Sequence, residues 1–252
     1  MQEPMGQQPE TILPYDVVTL PSQGLFYRNK KKSVKVTYLN ASDENLLATP
    51  SLQANGELVN TLLTRKILDK DINVMDMPEC DKEAILVFLR NTAFGSDYMI
   101  TLVDPKTNES FESTIDLSIL KTTDLGVEVD ENNEFEYHLE VSNKKVKLGF
   151  LTPKDTRALK DIDEKNKNAP INPYMTKQLE FLVKEIDGVR DAMTISNYIQ
   201  TMPIRDSQAI RKIVRKNSPS LDLTISVLTP SNEEINARIT FGVEFFRPFY
   251  GI

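Results

Sequence analysis

The spacing of apolar positions changes along the chain, and each change predicts an element. Tyr15 to Leu20 form a short strand that leads into Leu20-Pro21-Ser22-Gln23-Gly24-Leu25-Phe26-Tyr27. That segment is a turn, because Pro21 fixes its own φ and Gly24 offers a positive one. Lys30 to Lys32 mark a solvated tip, after which Val34, Val36 and Tyr38 alternate with Lys35 and Thr37 as a half-buried strand does. Ser42 is placed to cap a first helical piece with Asp43 and Glu44 in its opening turn, and Pro50 stops it. Val59, Leu62, Leu63 and Ile67 recur at helical spacing. Asp76-Met77-Pro78-Glu79 then reads as a cap and its capping glutamate. The helix it opens, about Pro78 to Phe94, is apolar from Ala84 to Leu89 and is expected to be buried on most sides before Gly95 ends it.

From Ser96 the period becomes two. Tyr98 to Val103 and Phe111 to Ile115 flank a turn-rich loop as one hairpin. Phe135, Tyr137, Leu139 and Val141, followed by Val146, Leu148 and Phe150, predict a second. Thr152-Pro153 opens a helix that runs to about Glu164, with proline at its first position. Helical stripes follow at Met175, Leu179, Leu182, Val183 and Ile186, closed by Gly188, and at Ile195, Tyr198, Ile199 and Met202, closed by Pro203. A third stripe, Ile210, Ile213 and Val214, is opened by Asp206. Leu221 to Val227 and Ile235 to Phe241 alternate as a last pair of strands around Thr229 to Asn232.

These elements predict an α+β protein of antiparallel β hairpins and segregated helices, with two subdomains as one arrangement. The divisions are a polar arm at 1–11, an α+β unit at 12–165, a linker at 166–173, and a unit of helices, hairpin and aromatic tail at 174–252. The arm is rich in Gln, Pro and Glu and is expected to be flexible.

Composition narrows the function. Hydrophobic residues at 40% and charged residues at 27% of 252 are ordinary for a globular chain. A net charge of −7 argues against a dedicated nucleic-acid binder, whose affinity rests on neutralising phosphates. One cysteine, Cys80, allows no internal disulfide and points to a reducing compartment. No apolar run approaches a membrane span, and the amino-terminal stretch has no apolar signal core, so a soluble cytoplasmic protein is expected.

Signatures of catalysis are missing. The glycines never occur as G-x-G, and one Cys with one His cannot build a Cys/His zinc site, so neither cofactor nor metal is expected. His138 falls on the polar side of its strand. Cys80 opens a helix but stands between Glu79 and Asp81, which oppose a reactive thiolate. The candidates for binding are of two kinds. Arg205, Arg211, Lys212, Arg215 and Lys216 surround an apolar strip on one helix. They either complement the negative helix end, seat on an acidic partner, or bind nucleic acid. At the carboxyl terminus Phe245, Phe246, Arg247, Phe249 and Tyr250 crowd together, either as a last strand in the chain's own core or as an anchor for another subunit. Leu20, Pro21, Gly24, Phe26 and Tyr27 invite the same two readings: a structural turn or a partner surface.

The ordered set of an LPS-x-G-x-F-Y turn, a basic tip, a strand and Asp43-Glu44-Asn45-Leu46-Leu47 resembles the T4-type bacteriophage baseplate proteins. The resemblance runs from about Leu20 to Tyr98 and takes in Ala48-Thr49-Pro50-Ser51-Leu52, Gly56 and Leu86-Val87-Phe88-Leu89-Arg90. It implies a non-enzymatic phage tail protein, associated with assembly of the baseplate hub of contractile tails or kept as a minor baseplate subunit. Its partners would be hub or other tail proteins, and its place the infected host's cytoplasm or the virion's tail. A nucleic-acid-binding module using the basic helix 205–216 is the alternative.

Overall fold

The structure, a computed structural model, describes residues 13–49, 57–241 and 243–246. Strand β1 (Tyr15–Thr19) pairs antiparallel with β2 (Ser33–Thr37), Val18 opposite Val34. Helix α1 (Ala41–Leu47) is capped by Asn40 rather than Ser42. The Asn40 side chain accepts from the Ser42 amide at 3.0 Å, and Asp43 accepts from the Asn40 amide at 2.9 Å. The reciprocal pair satisfies donors at both ends of the first turn, which a serine one step inside the helix cannot do. Helix α2 (Leu58–Lys66) buries Leu58, Leu62 and Leu63.

Asp76 does not cap the next helix. Val74–Asp76 form a short 3-10 turn, and α3 (Glu79–Phe94) has Pro78 as its N-cap. A residue before proline is kept out of the helical region, and Met77 is extended at φ −80° and ψ 132°. Helix α3 is buried through Ile85, Leu86, Val87 and Leu89, and carries Asp81, Lys82 and Arg90 inside with them.

Strands β3 (Asp97–Val103) and β4 (Ser110–Asp116) form the first hairpin, and β5 (Thr122–Thr123) follows. The second hairpin is β6 (Phe135–Leu139) with β7 (Lys144–Leu148). Helix α4 (Pro153–Lys165) is capped by Thr152 in a box with Asp155.

The stripe from Met175 to Ile186 is not one helix. Helix α5 (Tyr174–Leu182) stops at Leu182, and β8 (Val183–Ile186) adds to the free edge of β7, with Ile186 opposite Val146 and Val183 opposite Leu148. Both ends of this strand are β-branched and buried, and the backbone of β7 gains partners that another helical turn would leave unmet.

Helix α6 (Ala192–Thr201) is followed by α7 (Ile204–Asn217), whose N-cap is Pro203. Asp206 lies inside the first turn and faces another element. Its carboxylate accepts from the amides of Val141 and Ser142, at 3.2 and 2.9 Å, and so holds the tip of the β6–β7 hairpin. The last alternating run is also divided. Leu221 belongs to β9 (Ser220–Leu221), which pairs with β5, whereas β10 (Thr224–Leu228) pairs with β11 (Glu234–Arg238).

Two apolar cores result. The first gathers α2, α3, Leu20, Val34 and Val36, and later Leu223, Ile239, Phe245 and Phe246. The second gathers the β6–β7–β8 sheet, and Leu179, Leu182, Ile195, Ile199, Ile210 and Val214 from the helices that follow. Leu25 belongs to the second core although Leu20 belongs to the first, so the turn between them joins the two.

Candidate functional site

The turn that joins the cores is fastened to the start of α3. Ser22 donates its amide to Asp81 at 2.8 Å and its hydroxyl at 2.6 Å, and the Tyr27 hydroxyl donates to the same carboxylate at 2.8 Å. Asp81 has no exposed surface. Burial holds its carboxyl above the usual aspartate range, while the bonds from Ser22 and Tyr27 pull the other way. Burial, with Asp81 alongside, pushes the Tyr27 phenol and the Cys80 thiol upward, so Cys80 stays a thiol and a weak nucleophile. Gly24 sits at φ +85°, and a Cβ there would lie 2.5 Å from the Lys30 carbonyl oxygen. Leu20, Pro21 and Gly24 are buried and Phe26 and Tyr27 half-buried. Phe245 and Phe246 are buried in the first core, where Phe245 meets the Tyr98 ring edge-on at 5.3 Å and the Arg90 guanidinium at 5.9 Å. Arg247, Phe249 and Tyr250 lie outside the described residues.

Beside the joint opens a cleft of about 920 Å³. One wall is the start of α3 with Met75 and Met77 before it; the others are α4, α5 and α7. Its apolar lining comes from Phe26, Phe150, Leu151, Leu182 and Val214. The cations around it come from three helices: Lys82 from α3, Arg157 and Lys160 from α4, and Arg211, Lys212 and Arg215 from α7. Glu79 and Glu83 are the lining carboxylates.

The sign of the site is therefore positive in an acidic chain. Arg157 pairs with Asp76 at 2.9 Å, and Lys82 lies 3.8 Å from Glu79. Among the described residues Lys160, Lys212 and Arg215 have no ion pair. Burial lowers the Lys82 pKa, and Arg157 and Lys160 push it further the same way against Glu79. Glu83 is raised to about 7 by burial and by Glu79. Gln178 presents a buried carboxamide oxygen at this wall without a hydrogen-bond partner.

The basic helix foreseen in the sequence thus divides between two concavities. Arg211, Lys212 and Arg215 line the cleft, whereas Arg205, Lys212 and Lys216 line a second hollow of about 530 Å³ against Tyr137 and Val141. Lys82, Arg157 and Lys160 escaped sequence reasoning, although Arg157 and Lys160, three apart, share a helix face. Among the described residues no cluster of His, Cys, Asp and Glu is placed to hold a metal ion, and no helix is long and apolar enough to cross a membrane.

By its elements the molecule is an α+β protein with a positively charged cleft beside the joint between two cores. The chain belongs to the T4 bacteriophage base plate protein family, whose model matches residues 15–247. Neither the curated proteins nor the solved structures give a match. It is accordingly a structural protein of the phage baseplate.

Proposed function

We propose that this baseplate protein works through protein–protein contacts, in assembly of the baseplate hub or as a minor subunit retained in the baseplate, and performs no covalent chemistry. Membership of the family over 15–247 supports the reading. The observation that carries it further is the β3–β4 hairpin. It is a two-stranded sheet with no third strand among the described residues, and Met99 and Val103 are 58% and 52% exposed on its outer face. An unpaired edge beside apolar side chains accepts another chain's strand, backbone bonds giving affinity and the side chains selectivity.

The test is mass spectrometry on purified virions alongside a tagged pull-down from infected cells. Hub or other tail proteins in the pull-down, with the chain missing from virions, assign it to assembly. A fixed copy number in virions assigns it to the baseplate itself. A pull-down without tail proteins, together with virions that lack this chain, removes the reading.

The unpaired cations of α7 favour one other reading, nucleic-acid binding through 205–216. It requires a salt-dependent shift with DNA or RNA.

A further inference from the structure

Charge and shape define what the cleft between α3, α4 and α7 would hold. We propose that it is the docking groove for an acidic segment of a neighbouring protein chain that carries apolar side chains between its carboxylates. This rests on the protein-binding reading above and names the chemistry of one partner.

Two observations lead there. Six cations converge on the lining against two carboxylates, and four of them, Lys160, Arg211, Lys212 and Arg215, have no ion pair among the described residues. Cations so close repel one another, as Arg157 and Lys160 do Lys82, until an anion enters. The floor is apolar, with Phe26, Phe150, Leu182 and Val214, so side chains rather than water fit between the charges.

The groove also continues. Gln208 and Lys212 line both the cleft and the second hollow, where Arg205 and Lys216 extend the positive row. An extended peptide would follow α7 past both. Nucleic acid is the lesser fit, because the two rings in the lining, Phe26 and Phe150, are partly or fully buried rather than free platforms for stacking.

The experiment uses the full chain and a fluorescein-labelled peptide of repeated Asp-Leu-Glu-Phe, read by anisotropy. The comparison probe carries Asn and Gln in place of the acids. The acidic peptide is expected to bind, to weaken strongly between about 0.05 and 0.5 M salt, and to lose about tenfold or more in affinity to the triple variant Lys160→Glu, Lys212→Glu, Arg215→Glu. These three side chains are exposed and without ion pairs, so the variant retains its fold, which circular dichroism checks. Reversal of Lys70, Lys106 and Lys121, exposed elsewhere, is expected to leave binding unchanged.

Equal binding of the acidic and amide peptides, or indifference to the triple variant, overturns the proposal. So does tighter binding of a single-stranded oligothymidylate that the same variant abolishes, or filling of the groove by a second copy, seen as salt-sensitive dimers in sedimentation. A chain found in virions but blind to the acidic peptide keeps its baseplate role and loses this groove. Peptide binding without any tail protein in the pull-down does the reverse.

Discussion

Asp81 receives bonds from residues 54 and 59 positions earlier, and its worth follows from its burial. A buried carboxylate that accepts an amide and two hydroxyls leaves three donors without partners when removed. Asp81→Ala is expected to cost about 3 kcal/mol in urea unfolding; a cost below about 1 kcal/mol would mean that the turn is held by apolar contacts alone. Glu83 makes a different test. Its carboxyl sits near pH 7 in the fold against 4.5 for an ordinary glutamate, so the folded state binds this proton more tightly. Its contribution is therefore full below pH 4.5 and is lost as the pH rises through about 7. Asp81, also raised, acts with the same sign. The urea midpoint is expected to fall from pH 5 to pH 8, and Glu83→Gln to flatten that fall. A steeper fall in the variant would place the source elsewhere. At this scale the turn was legible in the sequence, because Pro21 and Gly24 carry its geometry locally. Its anchor was not, because Asp81 looked like any carboxylate in the first turn of a helix.

Elements differ from the sequence expectation where a tertiary partner outweighed a local pattern. Val183 and Ile186 continue the stripe of α5 at helical spacing, but they are also good strand residues, and the edge of β7 decided between the two periods. Asp206 looked like the opening of its helix. Proline already caps α7 without a side-chain bond, which left the carboxylate free to bind the hairpin 64 and 65 residues away. That arrangement is testable on the element it holds. Asp206 is 1% exposed, so Asp206→Ala leaves two hairpin amides without their acceptor and is expected to cost about 2 kcal/mol. Amide exchange at Val141 and Ser142 is expected to quicken more than at Tyr137 within the strand. Uniform quickening along α7 and the hairpin would instead mean that Asp206 serves overall stability rather than this tip. The β3–β4 hairpin, by contrast, was legible almost to the residue, because alternation and turn composition agree there.

At the scale of the molecule, the basic helix 205–216 was visible in the sequence but the cleft was not, because its remaining cations come from segments distant in the chain that meet only when the cores assemble. The same long-range assembly bears on the linker at 166–173. Residues on both sides of it feed one core: Phe150, Leu148 and Val146 precede it, Leu179, Leu182 and Ile186 follow it, and the β7–β8 pairing crosses it. The loop itself is mostly exposed, so a protease can reach Lys167. Brief trypsin treatment is expected to nick the chain there while the two pieces elute together from a sizing column without denaturant. The pieces would share a three-stranded sheet and a buried core, neither of which is complete on one side of the cut. Fragments that separated under those conditions would show two units joined only by the linker, each able to keep its own fold. Co-elution that breaks at a lower urea concentration than the intact chain's midpoint is the outcome a shared core requires, because the cut removes the loop-closure constraint and leaves the packing in place.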